Sequence, residues 1–468
     1  MPHNATVTGC RLLATVLAGW GLLSLSVAKA EVNVEARTNL KWRSYPTRRL
    51  EDLGGFTPAA VPLTKYGGRA DRPEQATGFF RVQHVGERWW FVDPAGGLFL
   101  QAGLGVVTPR SGFGSTEAFA RLFGDKDRWA AATLDLLRGN GFNGTGHYSD
   151  RETLSRAKEP LPYTVTLHMA SGFGKQLGII HPQPGHTGFA GDCFPALHPG
   201  FPAFCDGACR QLTSHKDDPW LIGYFSDNEL PGNPKLLDNA LAFDETDAAL
   251  SPLRRAAWDW LQVRKGQTVP AAAINDADRG AFLEHVYETY FRITTEAIRR
   301  HDPHHLCLGS RLYEPVLRKP AVWAAAGRHL DAIAVNYYGT WTPRVADLAH
   351  WHAWSGKPCL ITEFYTKGAD TPLANTTGAG WVVKTQSDRG LFYQNYTLAL
   401  LESRTCVGWH WFKYMDNDPT DTTTDPSNRD ANKGIVTIRY EPYMPLLQRM
   451  KTINQNLYPL ADFFDRQK

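Results

Sequence analysis

The stretch Trp220–Pro231 reads WLIGYFSDNELP. Its first six residues, Trp220 to Phe225, are continuously apolar apart from one glycine, the pattern of a strand buried on both faces. The run then ends abruptly in Ser226, Asp227, Asn228 and Glu229, and Pro231 and Gly232 stop it. Polar residues confined to the carboxyl end of a buried parallel strand are where α/β barrels place their chemistry. An ordinary strand followed by a solvated acidic loop reads the same from this segment alone. A second stretch tips the balance: PCLITEFY, Pro358–Tyr365, carries Glu363 to the end of another apolar run. Two carboxylates delivered by separate strands to one barrel face are what acid/base glycoside hydrolysis requires.

The same rhythm recurs along the chain. Short apolar runs at Phe99–Val107, Gly141–Tyr148, Tyr163–Met169, Leu221–Glu229, Leu306–Leu312, Leu330–Tyr338, Cys359–Tyr365 and Val407–Tyr414 alternate with helical stretches or loops. The helices are plainest at 117–139, 280–301 and 388–403. In the second of these, Phe282, Val286, Tyr290, Ile293 and Ala297 share one face at helical spacing. Eight strands alternating with helices predict an α/β fold of the (β/α)8 TIM-barrel kind over 98–468. A doubly wound open sheet is the alternative, but no Gly-rich phosphate loop follows the first strand, and Gly103-Leu104-Gly105 is too weak to stand for one. Upstream, residues 31 to about 78 are rich in Arg, Pro and Gly without periodicity and read as an extended arm. FFRVQHVGERWWFVDPAGGLFLQ, Phe79–Gln101, reads as a β-meander that closes the bottom of the barrel, so 31–97 form arm and meander together.

The amino terminus reads as an export signal over residues 1–30: Arg11, an apolar run from Leu12 to Val27, then Ala28-Lys29-Ala30 before Glu31. The run is too short to span a bilayer, and the expected location is secreted or periplasmic. Removing 1–30 takes away Arg11 and Lys29 and no acidic residue, so the balance becomes 48 − 47 = +1. That charge gives no footing for a nucleic-acid or membrane partner, and the sequence sets no oligomeric state. Export permits disulfides. Cys307, Cys359 and Cys406 sit in or beside apolar strands and read as small buried hydrophobes, whereas a bond from Cys193 to Cys205 or Cys209 is expected. Zinc at this cysteine cluster with His198 is the rival, at a spacing that matches no closed site.

The strand ends carry His147-Tyr148, His168, Asn228-Glu229, Arg311, Asn336-Tyr337-Tyr338, Glu363 and Trp409-His410-Trp411. Singly, each of these is more often structural than functional. Together they are an inventory for holding hydroxyl groups and stacking on sugar faces while two carboxylates react. No H-E-x-x-H and no strand-to-helix G-x-S-x-G occurs, so neither a metal nor another cofactor is called for. The aspartates of the last loop, Asp416, Asp418, Asp421, Asp425 and Asp430, lack an EF-hand pattern and read as a solvated loop.

The motifs GFNGTGHYSD (141–150), DPWLIGYFSDNELP (218–231), AVNYYG (334–339), ITEFYTKGAD (361–370) and VGWHWFKYMD (407–416) resemble those of glycoside hydrolase family 50, the β-agarases of clan A. The likeness runs from about residue 89 to the end. It implies a retaining double displacement on a β-galactoside linkage of an agarose-type galactan. In that scheme Glu229 is the acid/base, Glu363 the nucleophile, Asn228 the holder of the sugar 2-hydroxyl, and Tyr338 the residue that orients Glu363. The chain departs from the pattern in two places. Residues 31–88 are too few for the amino-terminal carbohydrate-binding region of such agarases, and His147 stands where many clan members place an Arg. Other β-galactosidases or β-glucan hydrolases of the clan are the alternative within the class. A non-catalytic sugar-binding barrel is the alternative outside it.

Overall fold

Eight parallel strands form one sheet that curls into a nearly closed, TIM-like α/β barrel. They are β1 (Gln101–Leu104), β2 (Gly144–Thr145), β3 (Tyr163–Thr166), β4 (Leu221–Phe225), β5 (Leu306–Gly309), β6 (Ile333–Asn336), β7 (Cys359–Glu363) and β8 (Cys406–Trp411). Their spatial order is 5-4-3-2-1-8-7-6, and a single parallel bridge between Leu312 and Val335 closes the seam between β5 and β6. The computed structural model describes residues 32–110, 112–422, 427 and 429–467. The expected export signal over 1–30 lies outside the described residues.

Each hydrogen-bonded strand is shorter than its apolar run, because the chain turns away from the ladder at the mouth. The residues that make the turn have left-handed backbones: Val106 (φ 53°), Tyr148 (56°), His168 (57°), Glu229 (51°) and Arg311 (48°), at the ends of β1 to β5 in succession. Hydrogen bonds between neighbouring turns hold these costly conformations. Val106 N–H donates to His147 O at 2.8 Å, and Glu229 N–H to Ser310 O at 3.0 Å.

Helices cover the outside. The expected helix over 117–139 is two, Thr116–Leu122 and Lys126–Gly139, because Gly124 is left-handed and Asp125 caps the second by accepting from Arg128 N–H at 2.8 Å. The helix from 280 starts earlier, at Asp276, where Asn275 and Asp278 form a capping box, and runs to His301.

The meander is present as Arg81–Val85, Arg88–Val92 and Leu98–Phe99. Phe91 and Phe99, with Tyr66 and Phe80, pack against Ile222, Leu306, Leu308, Ala332, Leu360 and Val407, so aromatic rings fill the amino-terminal end of the barrel. Residues 32–47, read from sequence as an arm without periodicity, contain an antiparallel hairpin, Val32–Arg37 with Arg43–Thr47. The hairpin joins a sheet with Trp381–Val383 and Thr366–Gly368.

Two expectations fail. Cys193, Cys205 and Cys209 are free and buried, so the bond expected from Cys193 is not made. The Cys193 thiol lies within 3.7 Å of Leu236 O, while Cys205 and Cys209 face inward from the helix Phe201–Cys209, so they fill core positions as small apolar groups. Three aspartates of the last loop, Asp416, Asp418 and Asp421, are not solvated either, while Asp430 is half-buried and Asp425 lies outside the described residues. Asp416 and Asp418 are buried, and Asp418 accepts from Gly114 N–H at 2.5 Å and from Thr420 Oγ1 at 2.7 Å.

Candidate active site

A cleft of about 800 Å³ opens at the carboxyl mouth of the barrel, and both Glu229 and Glu363 line it. Glu363 is the last residue of β7 and is 7 % exposed. Arg311 Nη1 donates to its Oε1 at 2.7 Å, and Tyr338 Oη donates to its Oε2 at 2.7 Å. His147 Nε2 stands 3.4 Å from Oε1. Burial first, then the charge of Arg311, hold His147 well below the ordinary imidazole range, so at neutral pH the ring is uncharged. Burial works against the Arg311 cation, but Tyr148, Glu363 and Glu229 more than offset it, and its pKa is raised. Burial, then Glu363, lift the Tyr338 phenol well above its usual range, so it remains a donor.

Glu229 is held from a different direction. Asn336, at the end of β6, donates from Nδ2 to Glu229 Oε1 at 2.7 Å and to Asn228 Oδ1 at 3.1 Å. Thr362 Oγ1 donates to Asn336 Oδ1 at 2.7 Å, which fixes the amide so that its NH2 faces the two β4 residues. The second oxygen of Glu229, Oε2, lies 3.8 Å from His186 Nδ1. Asp227, between Ser226 and Asn228, turns away from the cleft. It accepts from the first-turn N–H groups of Ala170 (2.6 Å) and Ser171 (3.0 Å) and from Tyr290 Oη (2.7 Å), tying the end of β4 to the helix Met169–Leu177.

Of the residues singled out by sequence, Glu229, Glu363, Asn228, Tyr148, His168 and Tyr338 line the cleft. Arg311, His147 and Asn336 are buried behind it and act on the glutamates. Trp409, His410 and Trp411 do not reach it. Trp409 and Trp411 face the outer helix Gln386–Glu402, where Trp409 Nε1 donates to Tyr393 Oη at 2.8 Å. His410 points into the barrel and bonds through Nε2 to Gln101 Oε1 at 2.8 Å. Gly103 in β1 makes room for its ring, since a Cβ there would lie 2.6 Å from Cδ2.

The cleft also takes His186, Tyr313, Tyr365, Phe412, Lys413, Asn417 and Lys433, none of them named from the sequence as site residues. Phe412 and Lys413 directly follow Trp-His-Trp, and counting two residues past the end of β8 would have found them. His186 and Lys433 come from loops whose return to the mouth no local pattern announces. Among the described residues no group of three or more His, Cys, Asp or Glu side chains could hold a metal ion. No helix among them is long and apolar enough to cross a membrane.

No family model matches the chain. It is 25 % identical over 535 residues to β-agarase B of Vibrio sp. (strain JT0107), an alignment covering 90 % of this chain and 54 % of that protein. β-Agarase A of the same strain is 25 % identical over 379 residues, 71 % of this chain and 36 % of the relative. The chain thus spans about half the length of the first relative and about a third of the second. Among solved structures, BpGH50 superposes with a TM-score of 0.81 at 29 % identity, over 93 % of this chain and 96 % of that one. The agarase AgWH50C gives 0.70 at 22 % identity, over 86 % and 67 %, which speaks to the fold alone. By sequence and by fold, the chain is similar to β-agarases and to structures of glycoside hydrolase family 50.

Proposed function

We propose that the protein is an exported, retaining β-glycoside hydrolase of the clan A type, acting on a β-galactoside linkage of an agarose-type galactan. Residues 1–30 would serve as its export signal, 31–97 as the barrel closure and 98–468 as the catalytic barrel. The observation that carries the reading is the pair of glutamates in one cleft, each held by a different set of donors. Glu363 receives a guanidinium and a phenol, donors that favour a carboxylate poised for attack on the anomeric carbon. Glu229 receives the neutral amide of Asn336 at Oε1, an arrangement compatible with a carboxylic acid that gives its proton to the leaving oxygen. Attack by Glu363 breaks the glycosidic bond and leaves a glycosyl ester. Glu229, now a carboxylate, takes a proton from water as the water displaces Glu363 with a second inversion. Asn228, at the cleft wall beside Glu229, suits the sugar 2-hydroxyl.

The test is hydrolysis of an aryl β-galactoside and of agar oligosaccharides, with the anomeric configuration of the first product read by NMR. Retention is expected. Glu363→Ala should abolish turnover, and azide should restore part of it with an inverted product. Glu229→Ala should spare a dinitrophenyl glycoside and yield a retained azide adduct. An inverted wild-type product overturns the double displacement. Full activity in both variants overturns the site, and binding without turnover leaves a sugar-binding barrel.

A further inference from the structure

Lys413 is a buried cation whose ammonium has no directly bonded counter-charge among the described residues. It is 9 % exposed and lines the cleft, and its ammonium has no hydrogen bond or ion pair within 4 Å among the described residues. Asp416 is the acid whose charge reaches it, and that carboxylate is committed elsewhere. It accepts from Asn432 Nδ2 at 2.9 Å, Gly434 N–H at 2.8 Å and Tyr443 Oη at 2.6 Å. Burial pulls the Lys413 ammonium down to about 8, which leaves it protonated at neutral pH. An unpaired buried charge is costly, and a sugar's hydroxyl groups ask for no formal charge.

A second lysine stands beside it. Lys413 N–H donates to Lys433 O at 3.2 Å, so the two backbones run together, and Lys433 also lines the cleft. The Lys433 ammonium lies 4.6 Å from the ring centre of Tyr365 and 5.0 Å from that of Phe412, which fixes its position at the wall. On the same loop Asn417 lines the cleft with a buried Oδ1 that has no hydrogen-bond partner among the described residues. Such an oxygen accepts from a hydroxyl. Two cations and one open acceptor, all on the loop after β8, form one wall.

We infer that this wall is a subsite for an anionic substituent of the sugar, a sulfate ester or a carboxylate, with Lys413 as its counter-ion, Lys433 beside it and Asn417 on a neighbouring hydroxyl. The inference rests on the cleft being a glycan site, and it narrows the substrate to charged galactans. The experiment is calorimetric binding to the Glu363→Gln protein of three oligosaccharides of equal length: a neutral galactan, its sulfated form and a uronic-acid-bearing form. At least one anionic ligand should bind about tenfold tighter than the neutral one, as a charge-assisted hydrogen bond is about twice as strong as a neutral one. Preference for the sulfated or for the uronic ligand identifies the source. Lys413→Met in the same background should erase the preference and Lys413→Arg should keep most of it, with melting curves showing each variant folded. If Lys413→Met does not fold, Lys433→Met and the three-ligand comparison decide. Equal or tighter binding of the neutral oligosaccharide overturns the subsite alone, as does an undiminished preference in Lys413→Met. No binding of any saccharide removes the glycan reading and the subsite with it.

Discussion

Arg311 approaches Glu363 from the end of β5. The residue at the end of β2 is His147, uncharged, 3.4 Å from the same Oε1 that Arg311 binds at 2.7 Å. One carboxylate oxygen thus has both a cation and a neutral ring beside it. The guanidinium is fully buried, and its centre lies 4.8 Å from the ring centre of Tyr148, so the aromatic face takes up charge that Glu363 does not. Lysine keeps the charge but loses the planar fork and the stacking. Arg311→Lys should therefore lower kcat about 10² to 10³-fold, the scale of losing one oriented donor at a reacting charge, with a smaller change in KM. Steady-state kinetics on an aryl galactoside checks it. A fall in kcat of under tenfold would show that charge, not shape, is what Glu363 needs.

At the scale of elements, β8 shows where sequence reading stops. A strand buried on both faces has no polar alternation, so its sequence does not say which residues point inward. Trp409-His410-Trp411 read as a sugar platform, yet the indoles serve the outer helix and the imidazole fills the barrel. The glutamates stood out for the opposite reason: each is a charged residue closing an apolar run and both line the cleft, although Asp227 at the same strand end turns away from it. Lys413 was not legible, since its meaning lies in a missing side-chain partner among the described residues, which only three dimensions reveal, and Lys433 comes from a loop whose return to the mouth no local pattern announces. His410 has a measurable consequence. Burial first, then Arg311, push its pKa from 6.5 down to about 3. Between those values the unfolded chain binds a proton that the folded chain refuses, so this contribution to stability is lost as pH falls from about 6.5 toward 3 and is constant above. The limiting slope is about 1.4 kcal/mol per pH unit for one group, and His147 adds the same sign. His410→Gln keeps a donor for Gln101 and should flatten the acid limb, by up to about 2 kcal/mol between pH 6.5 and 5. Urea midpoints at the two values read it, and identical acid limbs in both proteins would place the proton uptake elsewhere.

At the scale of the whole molecule, the amino-terminal hairpin reaches the cleft through three contacts in series. Its edge pairs with Trp381–Val383, Ala36 opposite Val383 and Arg37 opposite Val382. That segment pairs in parallel with Thr366–Gly368, which directly follows the turn after Glu363. Between the two lies the loop with Gly378 and Ala379 on the cleft wall, where Lys367 Nζ donates to Thr377 O at 2.7 Å and Gly378 O at 3.0 Å. This role is not legible in the sequence, because the strands are short and charged, Pro46 interrupts the second, and the outer partner of the first lies more than 300 residues away. Tyr45 is the hairpin's anchor: its ring stacks on Trp341 at 5.1 Å and meets Trp381 edge-on at 4.9 Å. Two such aromatic contacts are worth about 1–3 kcal/mol together, and Tyr45→Ala should lose that much stability. If the hairpin sets the position of the 378–379 wall, the same substitution should raise KM for oligosaccharides several-fold and leave kcat within about threefold, because no group touching the reacting atoms moves. Thermal melts and kinetics on the same preparation separate the two effects. A lowered melting temperature with unchanged KM would make the hairpin a clamp on the fold and nothing more.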